Sequence, residues 1–405
     1  MHILLIHQAF VTPEDGGGTR HYEFARHCVR AGHRFSIVAS TLSYLSGERL
    51  AEGRGLVYEQ NLDGMRVLRA YTAPALHKSF VRRVISFLSF MVTSVWAGLR
   101  AGSVDLVMGT SPPLFQAVSA WFVALIRRRP FLLEIRDLWP EFAIDIGVLT
   151  NPVLIKLSRW LEHFLYARAT HLLVNSPAYR EYLIDKGVAE EKITLIPNGV
   201  DPAMFDPEAD GKALREKWGL DAKFVVTYAG ALGLANDIET ILRTARHLRD
   251  ASDIHFMLVG DGKERANLEA LAERWQLSNV TFLGMQPKSA IAEILAASDA
   301  CVATLKDIPM FRTTYPNKVF DYMAAGRPTI LAIDGVIREV VESACGGVFV
   351  PPGDDQALAD VVQSLAQEQS RVENMGQAAR RYVVEHFNRR HHADQFIELV
   401  QSLVD

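Results

Sequence analysis

Two successive series of alternating strands and helices run along the 405-residue chain. In the first half, apolar runs at 2–9, 34–39, 105–109 and 130–135 alternate with helical stretches. Alternation at this spacing predicts a parallel sheet with helices packed on its faces. The turn-rich segment 197–202 interrupts the series, and the same pattern then starts again. The sequence therefore predicts an α/β fold with two doubly wound, Rossmann-like domains.

The predicted domains cover residues 1–197 and 203–385, and the amphipathic segment 386–405 is expected to cross back onto the first domain. A chain of this length exceeds one ordinary domain, which agrees with that division. Doubly wound sheets bind ligands at the carboxyl ends of their strands. We therefore expect the ligand site in a deep cleft where the two domains face each other.

Composition places the protein among folded, compact chains, with 49% hydrophobic and 22% charged residues. The three cysteines, Cys28, Cys301 and Cys345, show neither pairing nor metal-ligand spacing, which favours a reducing compartment. Residues 1–7 look like a first strand and not like a signal peptide. From these two features we expect a cytoplasmic location.

Charge is distributed unevenly. Residues 1–200 hold 22 Lys and Arg against 17 Asp and Glu, a net charge of +5. The remainder holds 21 against 30, a net charge of −9. The basic half could meet an anionic partner, or the asymmetry could be a surface property without a role.

The stretch 79–100 is unusually apolar. Residues 84–99 carry no charge, and Arg82 and Arg83 stand just before them. Sixteen uncharged residues are fewer than the roughly 20 that a bilayer span needs. A buried helix and a helix lying in the membrane interface both fit the pattern, and a transmembrane helix fits it less well.

The segment 316–328, Pro-Asn-Lys-Val-Phe-Asp-Tyr-Met-Ala-Ala-Gly-Arg-Pro, predicts a short helix that begins at a Pro, ends at a Gly and leads into a strand. Asn317 and Lys318 lie at its amino end, where free backbone N–H groups suit a phosphate. Asp321, one turn later, could accept hydrogen bonds from a ribose. A solvated amphipathic helix would show the same residues, so further signals are needed.

Glycine turns follow several predicted strands. Gly16, Gly17 and Gly18, with Arg20 just beyond them, follow the first strand and are predicted to contact phosphate or acceptor. Gly230 and Gly233 occupy the same place in the second domain, and Gly260 and Lys263 follow the next strand. Glycines at these positions would let a nucleotide lie close to the backbone.

A polar cluster ends the strand at 130–135. Arg136 could bind phosphate or sugar, while Asp137 and Glu141 could orient hydroxyl groups or accept a proton. A structural ion pair is the alternative. No Asp-x-Asp, no His/Cys metal spacing and no Walker-type loop is present, so no metal and no ordinary NTPase site is predicted.

With these residues in view, the chain resembles the GT-B-fold retaining glycosyltransferases of family 4, most closely the bacterial surface-polysaccharide branch that includes fucosamine transferases. The segments at 134–141, 196–201 and 316–328 carry the resemblance, together with the early Gly-rich loop. Two departures from the family pattern stand out. Thr313 replaces the first of two glutamates, and Ala231 replaces a common basic residue, which leaves Lys318, Arg312 and Lys263 as candidates for diphosphate charge.

The resemblance implies a metal-independent, retaining transfer of a sugar, possibly a deoxy or N-acetylamino sugar, from a nucleotide-sugar to a saccharide on polyprenyl diphosphate. No cofactor is implied, a UDP-sugar is favoured over a GDP-sugar, and no nucleic-acid partner is expected. The enzyme would work peripherally on the inner face of the cell membrane, through 79–100. The alternatives are a UDP-amino-sugar 2-epimerase of similar fold and a non-catalytic nucleotide-sugar-binding protein.

Overall fold

The structure, a computed structural model, describes residues 1–15, 17–43, 47–50, 55–74, 80–206 and 209–405. Contacts divide the chain into two compact units. The first comprises Met1–Thr12, Thr19–Pro197 and Arg390–Asp405, and the second comprises Pro13–Gly18 and Asn198–Arg389. The main division therefore falls inside the turn-rich segment at 197–202.

The first unit contains, among the described residues, an eight-stranded sheet with the order β3-β4-β2-β1-β5-β6-β7-β8. All neighbouring strands are parallel except β3, which runs antiparallel to β4. Its elements are β1 (His2–Ile6), α1 (Arg20–Arg30), β2 (Arg34–Ser40), β3 (Val57–Leu62), β4 (Met65–Ala70), α2 (Phe80–Leu99), β5 (Leu106–Ser111), α3 (Leu114–Arg127), β6 (Phe131–Ile135), α4 (Glu141–Asp145), α5 (Pro152–Arg168), β7 (His171–Val174), α6 (Pro177–Asp185) and β8 (Ile193–Leu195).

The second unit contains a six-stranded parallel sheet with the order β11-β10-β9-β12-β13-β14. Its elements are α7 (Lys212–Trp218), β9 (Phe224–Ala229), α8 (Ile238–His247), β10 (Ile254–Val259), α9 (Arg265–Arg274), β11 (Val280–Gly284), α10 (Lys288–Ala296), β12 (Ala300–Thr304), α11 (Asn317–Ala324), β13 (Thr329–Ala332), α12 (Val336–Ser343), β14 (Gly347–Phe349), α13 (Asp355–Gln367) and α14 (Gln369–His386).

The last helix, α15 (Arg389–Val404), supplies core residues to the first unit. Phe396 is fully buried and stacks on Phe24 of α1, with 5.2 Å between the ring centroids. Ile3 and Leu5 of the central strand β1 belong to the same hydrophobic cluster. The amphipathic pattern of α15 therefore reflects one face of this core.

Some elements differ from the sequence prediction. Strand β3 was not predicted, because its residues alternate between half-buried and exposed at the sheet edge and include the polar run Glu59-Gln60-Asn61. Helices α4, α6, α7 and α12 were also not predicted. Pro316 takes the N-cap of α11, and not its first helical position, while Gly326 closes the helix with φ +67° as expected.

Candidate functional site

Helix α11 is fixed to the end of strand β9 by one tyrosine. The Tyr322 hydroxyl accepts a hydrogen bond from the Ala229 backbone N–H at 2.8 Å and donates one to the Ala229 carbonyl at 3.2 Å. Val319 and Phe320 are fully buried on the same helix. This anchoring places the amino end of α11 next to the loop that follows β9.

Lys318 lies at that amino end among neutral partners. Its Nζ donates hydrogen bonds to the Tyr228 hydroxyl at 2.7 Å and to Asn236 Oδ1 at 3.0 Å, and it sits 4.3 Å from the centroid of the Tyr228 ring. Burial lowers the pKa of Lys318 to about 7, since no carboxylate offsets the loss of water. An incoming diphosphate would supply the missing negative charge.

Asn317 and the Gly-rich loop meet at the same helix end. The Asn317 Oδ1 is buried and has no hydrogen-bond partner in the described part of the chain. A Cβ atom built on Gly18 would lie 3.0 Å from Asn317 Nδ2, so a larger residue there would press on Asn317. Gly17 adopts φ +118°, and Gly16 lies outside the described residues. Two of the predicted site segments are thus brought together within the second unit.

Asp321 already has a basic neighbour. Lys288 of α10 forms an ion pair with it, and both side chains are largely buried, at 11% and 14% exposure. Lys288 also lies over the Phe205 ring, 5.7 Å from its centroid. The sequence analysis did not single out Lys288, because a lysine at the first position of a helix is not a distinctive pattern. A ribose contact by Asp321 would therefore involve a carboxylate that Lys288 holds in place.

The residues before α11 contribute less to this site. Thr313, in the position of the family's first glutamate, donates a hydrogen bond from its hydroxyl to the Met310 carbonyl at 2.5 Å. Arg312 is exposed and pairs with Asp307 at 3.0 Å, and the hydrogen bond to Asp307 raises the pKa of Arg312. Lys263 is likewise exposed. A diphosphate contact by Arg312 or Lys263 stays a prediction, and Lys318 is the better-placed cation.

The glycine turns of the second unit contact each other through their backbones. A Cβ on Gly260, which has φ +137°, would lie 1.9 Å from the Gly230 carbonyl oxygen. A Cβ on Gly230 would in turn lie 3.0 Å from Lys318 Nζ. A Cβ on Gly233, by contrast, would meet only Asn236 Nδ2 among the described residues, at 3.7 Å. Gly260 is thus required by packing between loops, while Gly230 keeps space open beside Lys318.

In the first unit, Arg20 belongs to a buried ion pair. Its Nε donates to Glu134 Oε1 at 2.8 Å, and its Nη atoms donate to the carbonyls of Ile196 and Pro197 at 2.7 Å each. His21 contacts the other Glu134 oxygen. These partners account for the Arg20 guanidinium without a ligand. They support a structural role for Arg20, and its donor contact stays a prediction.

Arg136 pairs with His7, a residue that the sequence analysis did not identify. The Arg136 guanidinium donates to His7 Nε2 at 2.8 Å, and His7 Nδ1 is buried with no partner among the described residues. Burial, together with His21 and Arg136, holds the pKa of His7 well below its ordinary value, so His7 is neutral. The sequence signal that could have identified His7 is its position just beyond the carboxyl end of β1. A neutral imidazole with a free N–H could donate to a substrate hydroxyl.

Asp137 and Glu141 differ in environment. Burial raises the pKa of Asp137 to about 6, although Arg136 opposes the shift. Glu141 instead accepts two hydrogen bonds of 2.8 Å from Arg159, and those bonds lower its pKa. A carboxylate held this way is a poor general base. The ion-pair alternative thus describes Glu141, and Asp137 is the better candidate for chemistry.

We expect Asp137→Asn to raise the free energy of unfolding above about pH 6. Because its pKa is raised, Asp137 keeps its proton in the folded state up to about pH 6, while in the unfolded chain it loses that proton from about pH 4 upward. The free energy of unfolding therefore falls between about pH 4 and about pH 6. Asparagine removes this cost, worth about 1 to 2 kcal/mol after discounting for partial exposure. Urea unfolding at about pH 4.5 and about pH 7.5 measures the difference. A variant less stable than the parent at the higher pH would show that Asp137 is structural.

Both halves of the chain match known protein families. Residues 223–368 match the family described as Glycosyl transferases group 1, and residues 15–199 match the one described as Glycosyl transferase 4-like domain. Together the two matches leave residues 1–14, 200–222 and 369–405 uncovered. The segments 134–141 and 316–328 lie inside these matches, and the segment 196–201 begins inside the match at 15–199 and ends two residues beyond it.

Individual relatives agree with the family matches. The chain is 25% identical to the glycosyl transferase WcaI of Escherichia coli (strain K12), named for colanic acid biosynthesis, over 89% of this chain and 92% of WcaI. It is 26% identical to the amylovoran biosynthesis glycosyltransferase AmsK of Erwinia amylovora, over 59% of this chain and 58% of AmsK. The structure of Anabaena HepE in complex with UDP-glucose matches 100% of both chains, with a TM-score of 0.75 and 19% identity. This last likeness shows the fold, and the predicted fold with two doubly wound domains is confirmed.

Proposed function

Because the chain belongs to the group 1 glycosyl transferases of GT-B fold, we propose that it is a retaining, metal-independent enzyme of surface-polysaccharide biosynthesis. The donor would be a nucleotide diphosphate sugar, most favourably a UDP-sugar. The acceptor would be a saccharide carried on polyprenyl diphosphate. The names of WcaI and AmsK support the polysaccharide assignment, and the UDP-glucose complex of HepE supports the donor class.

The observation that carries the proposal is Lys318 at the amino end of α11. A desolvated ammonium group with only neutral partners gains more from a bound diphosphate than an exposed lysine would. Beside it, the unpartnered Oδ1 of Asn317 can accept a hydrogen bond from a donor hydroxyl. We assign Lys318 to the diphosphate and Asp321, held by Lys288, to the ribose.

In the proposed reaction, the bond between the sugar anomeric carbon and the β-phosphate oxygen breaks. A bond from the acceptor oxygen forms on the same face of the sugar, and the β-phosphate takes the acceptor proton. Lys318 and the free N–H groups of α11 would stabilise the nucleotide diphosphate as it leaves. Arg136, Asp137 and His7 of the first unit are proposed to bind hydroxyl groups of the sugar or the acceptor.

We expect UDP to stabilise the protein in the presence of EDTA. A ligand that binds only the folded state, at a free concentration of about 100 times its Kd, adds about 2.7 kcal/mol to the free energy of unfolding. A thermal shift detects a change of this size easily. Among the described residues no group of three or more His, Cys, Asp or Glu could hold a metal ion, and Lys318 would provide the charge instead. GDP serves as the comparison nucleotide.

Two outcomes would contradict the proposal. A UDP shift that requires added Mg²⁺ or Mn²⁺ would remove the metal-independent part. Conversion of a UDP-amino sugar to its 2-epimer without any acceptor would favour the epimerase alternative. Release of free UDP from UDP-sugar at a slow rate, with EDTA present, would agree with a transferase whose acceptor is missing.

The lipid-linked acceptor would bring the enzyme to the inner face of the cell membrane. No helix among the described residues is long and apolar enough to cross a bilayer. For the lipid-linked acceptor we propose peripheral attachment, in which α2 lies along the membrane surface.

A further inference from the structure

Helix α2 buries several hydroxyl side chains and exposes a row of apolar ones. Ser86, Thr93 and Ser94 are buried, and the Thr93 hydroxyl donates to the Tyr71 carbonyl at 2.7 Å. On the outer side, apolar residues recur every three to four positions and so share one face. They are Ile85, Leu88, Val92, Trp96 and Leu99, with exposed fractions from 37% to 67%. Several hydroxyl side chains of α2 thus face the protein, while five large apolar side chains face outward.

Two further helices show the same exposure. Phe122, Leu125 and Ile126 are exposed on α3, and Val153, Leu154, Leu157 and Trp160 are exposed on α5. The three helices together hold twelve of the twenty large hydrophobic residues that are exposed in the described part of the chain. We call this set the three-helix face. Such a concentration exceeds the scattered apolar residues of an ordinary surface.

The three helices form one continuous layer. Between α2 and α3, the Ser119 hydroxyl donates to the Met91 carbonyl at 3.0 Å, and Arg127 donates to the Leu99 carbonyl at 2.8 Å. Between α3 and α5, the rings of Trp121 and Phe164 meet edge to face, with centroids 4.9 Å apart. The exposed apolar residues therefore belong to one surface.

The three helices of this face carry almost only basic charges. Residues 80–100, 114–129 and 152–168 contain nine Lys and Arg residues and a single acid, Glu162. Glu162 is only 1% exposed and is paired with Lys186, while Arg159 is paired with Glu141. Arg100 lies over the exposed Trp96 ring, 4.5 Å from its centroid. The sequence segments that form the three-helix face are thus strongly basic.

We propose that the whole three-helix face, and not α2 alone, binds an anionic lipid bilayer. Apolar side chains on α2, α3 and α5 would enter the interface, and the surrounding cations would contact lipid phosphates. This proposal rests on the proposed function, because the lipid-linked acceptor is the reason for the enzyme to meet a membrane. A second copy of the chain suits the face less well, because two copies would place like charges opposite each other.

Flotation with vesicles tests the contribution of α5 separately from that of α2. The probes are vesicles of phosphatidylcholine alone and of phosphatidylcholine with about one third phosphatidylglycerol. The variants are L157E/W160E on α5 and V92E/W96E on α2, and V384E on α14 is the matched control because Val384 is an exposed apolar residue of the other unit, at 40%. We expect the parent and V384E to float with anionic vesicles. Each double variant should lose at least tenfold in bound fraction.

A normal UDP thermal shift in every variant would show that the donor unit is intact. If L157E/W160E floats like the parent, α5 is not part of the membrane surface and the inference is wrong. A parent that does not float, and that light scattering shows to be a dimer which L157E/W160E makes monomeric, would identify the face as an interface between copies. Flotation as expected without any UDP shift would leave this inference standing and contradict the proposed donor site.

Discussion

Lys318→Met should reduce sugar transfer by two to three orders of magnitude while making the free protein more stable. Removing one preorganised donor from a developing oxyanion costs about 2.7 to 4 kcal/mol in the transition state. Methionine keeps the apolar stem of the side chain and removes the desolvated ammonium group. The loss of activity and the gain in stability have the same physical origin, since the charge is stabilised only when the diphosphate is bound.

The stability gain has a definite pH dependence. Burial lowers the pKa of Lys318 to about 7, while in the unfolded chain it is about 10.4. Between these values the unfolded chain binds more protons, so the parent becomes more stable as pH rises. The advantage of Lys318→Met should therefore be large near pH 7 and shrink toward pH 10. Urea unfolding at about pH 7 and about pH 9.5 measures it.

Lys212→Ala is the matched control, because Lys212 is a lysine of the same unit with a side chain that is 76% exposed. It should change neither activity nor stability. Near-normal transfer by Lys318→Met would end the assignment of Lys318 to the leaving diphosphate. Lower stability of Lys318→Met at pH 7 would show that its hydrogen bonds to Tyr228 and Asn236 outweigh its desolvation.

Glu134→Gln should destabilise the first unit by about 3 to 5 kcal/mol, because it leaves the Arg20 charge buried without its counterion. Glu134 is fully buried between Arg20 and His21. Burial alone would raise its pKa, but the charges of His21 and Arg20 outweigh burial and hold the pKa of Glu134 well below its usual range. Its contribution is therefore present above about pH 4.3 and is lost as the pH falls below that value.

Urea unfolding measures the difference in free energy of unfolding between the parent and Glu134→Gln. We expect this difference to be greatest at neutral pH and smaller in acid. Glu59→Gln is the control, since Glu59 pairs with Arg66 on the surface, with side chains 56% and 37% exposed. A surface pair of this kind contributes at most about 1 kcal/mol. Equal effects of the two substitutions would show that water reaches Glu134.

Much of the fold follows from the sequence pattern. Strands β9, β10 and β12 coincide with the apolar runs at 224–229, 254–259 and 300–304, because each run is long enough for one strand only. The helix of the 316–328 segment and its closing glycine also follow from local chemistry. Edge strand β3 does not, because a strand with one exposed edge needs no continuous apolar run.

The sequence predicts where the candidate site lies better than it predicts which residues its side chains contact. Lys318 and Asp321 stand in a recognisable segment, but the neutral surroundings of Lys318 depend on Tyr228 and Asn236, more than 80 residues away. Arg20 and Glu134 are separated by 114 residues, so no local pattern shows that they form an ion pair. The sequence marks residues suited to a ligand, and only the fold shows which of them already have partners.

The position of α15 has a consequence for how the protein is made. Ala393, Phe396 and Val400 complete the core of the unit that begins with β1. A ribosome adds residues from the amino terminus onward, so the first unit cannot bury this core until residues 393–400 have been synthesised. The half that is translated first is therefore the half that folds to completion last. During that interval, Phe24 lacks the ring of Phe396 on which it stacks in the complete unit.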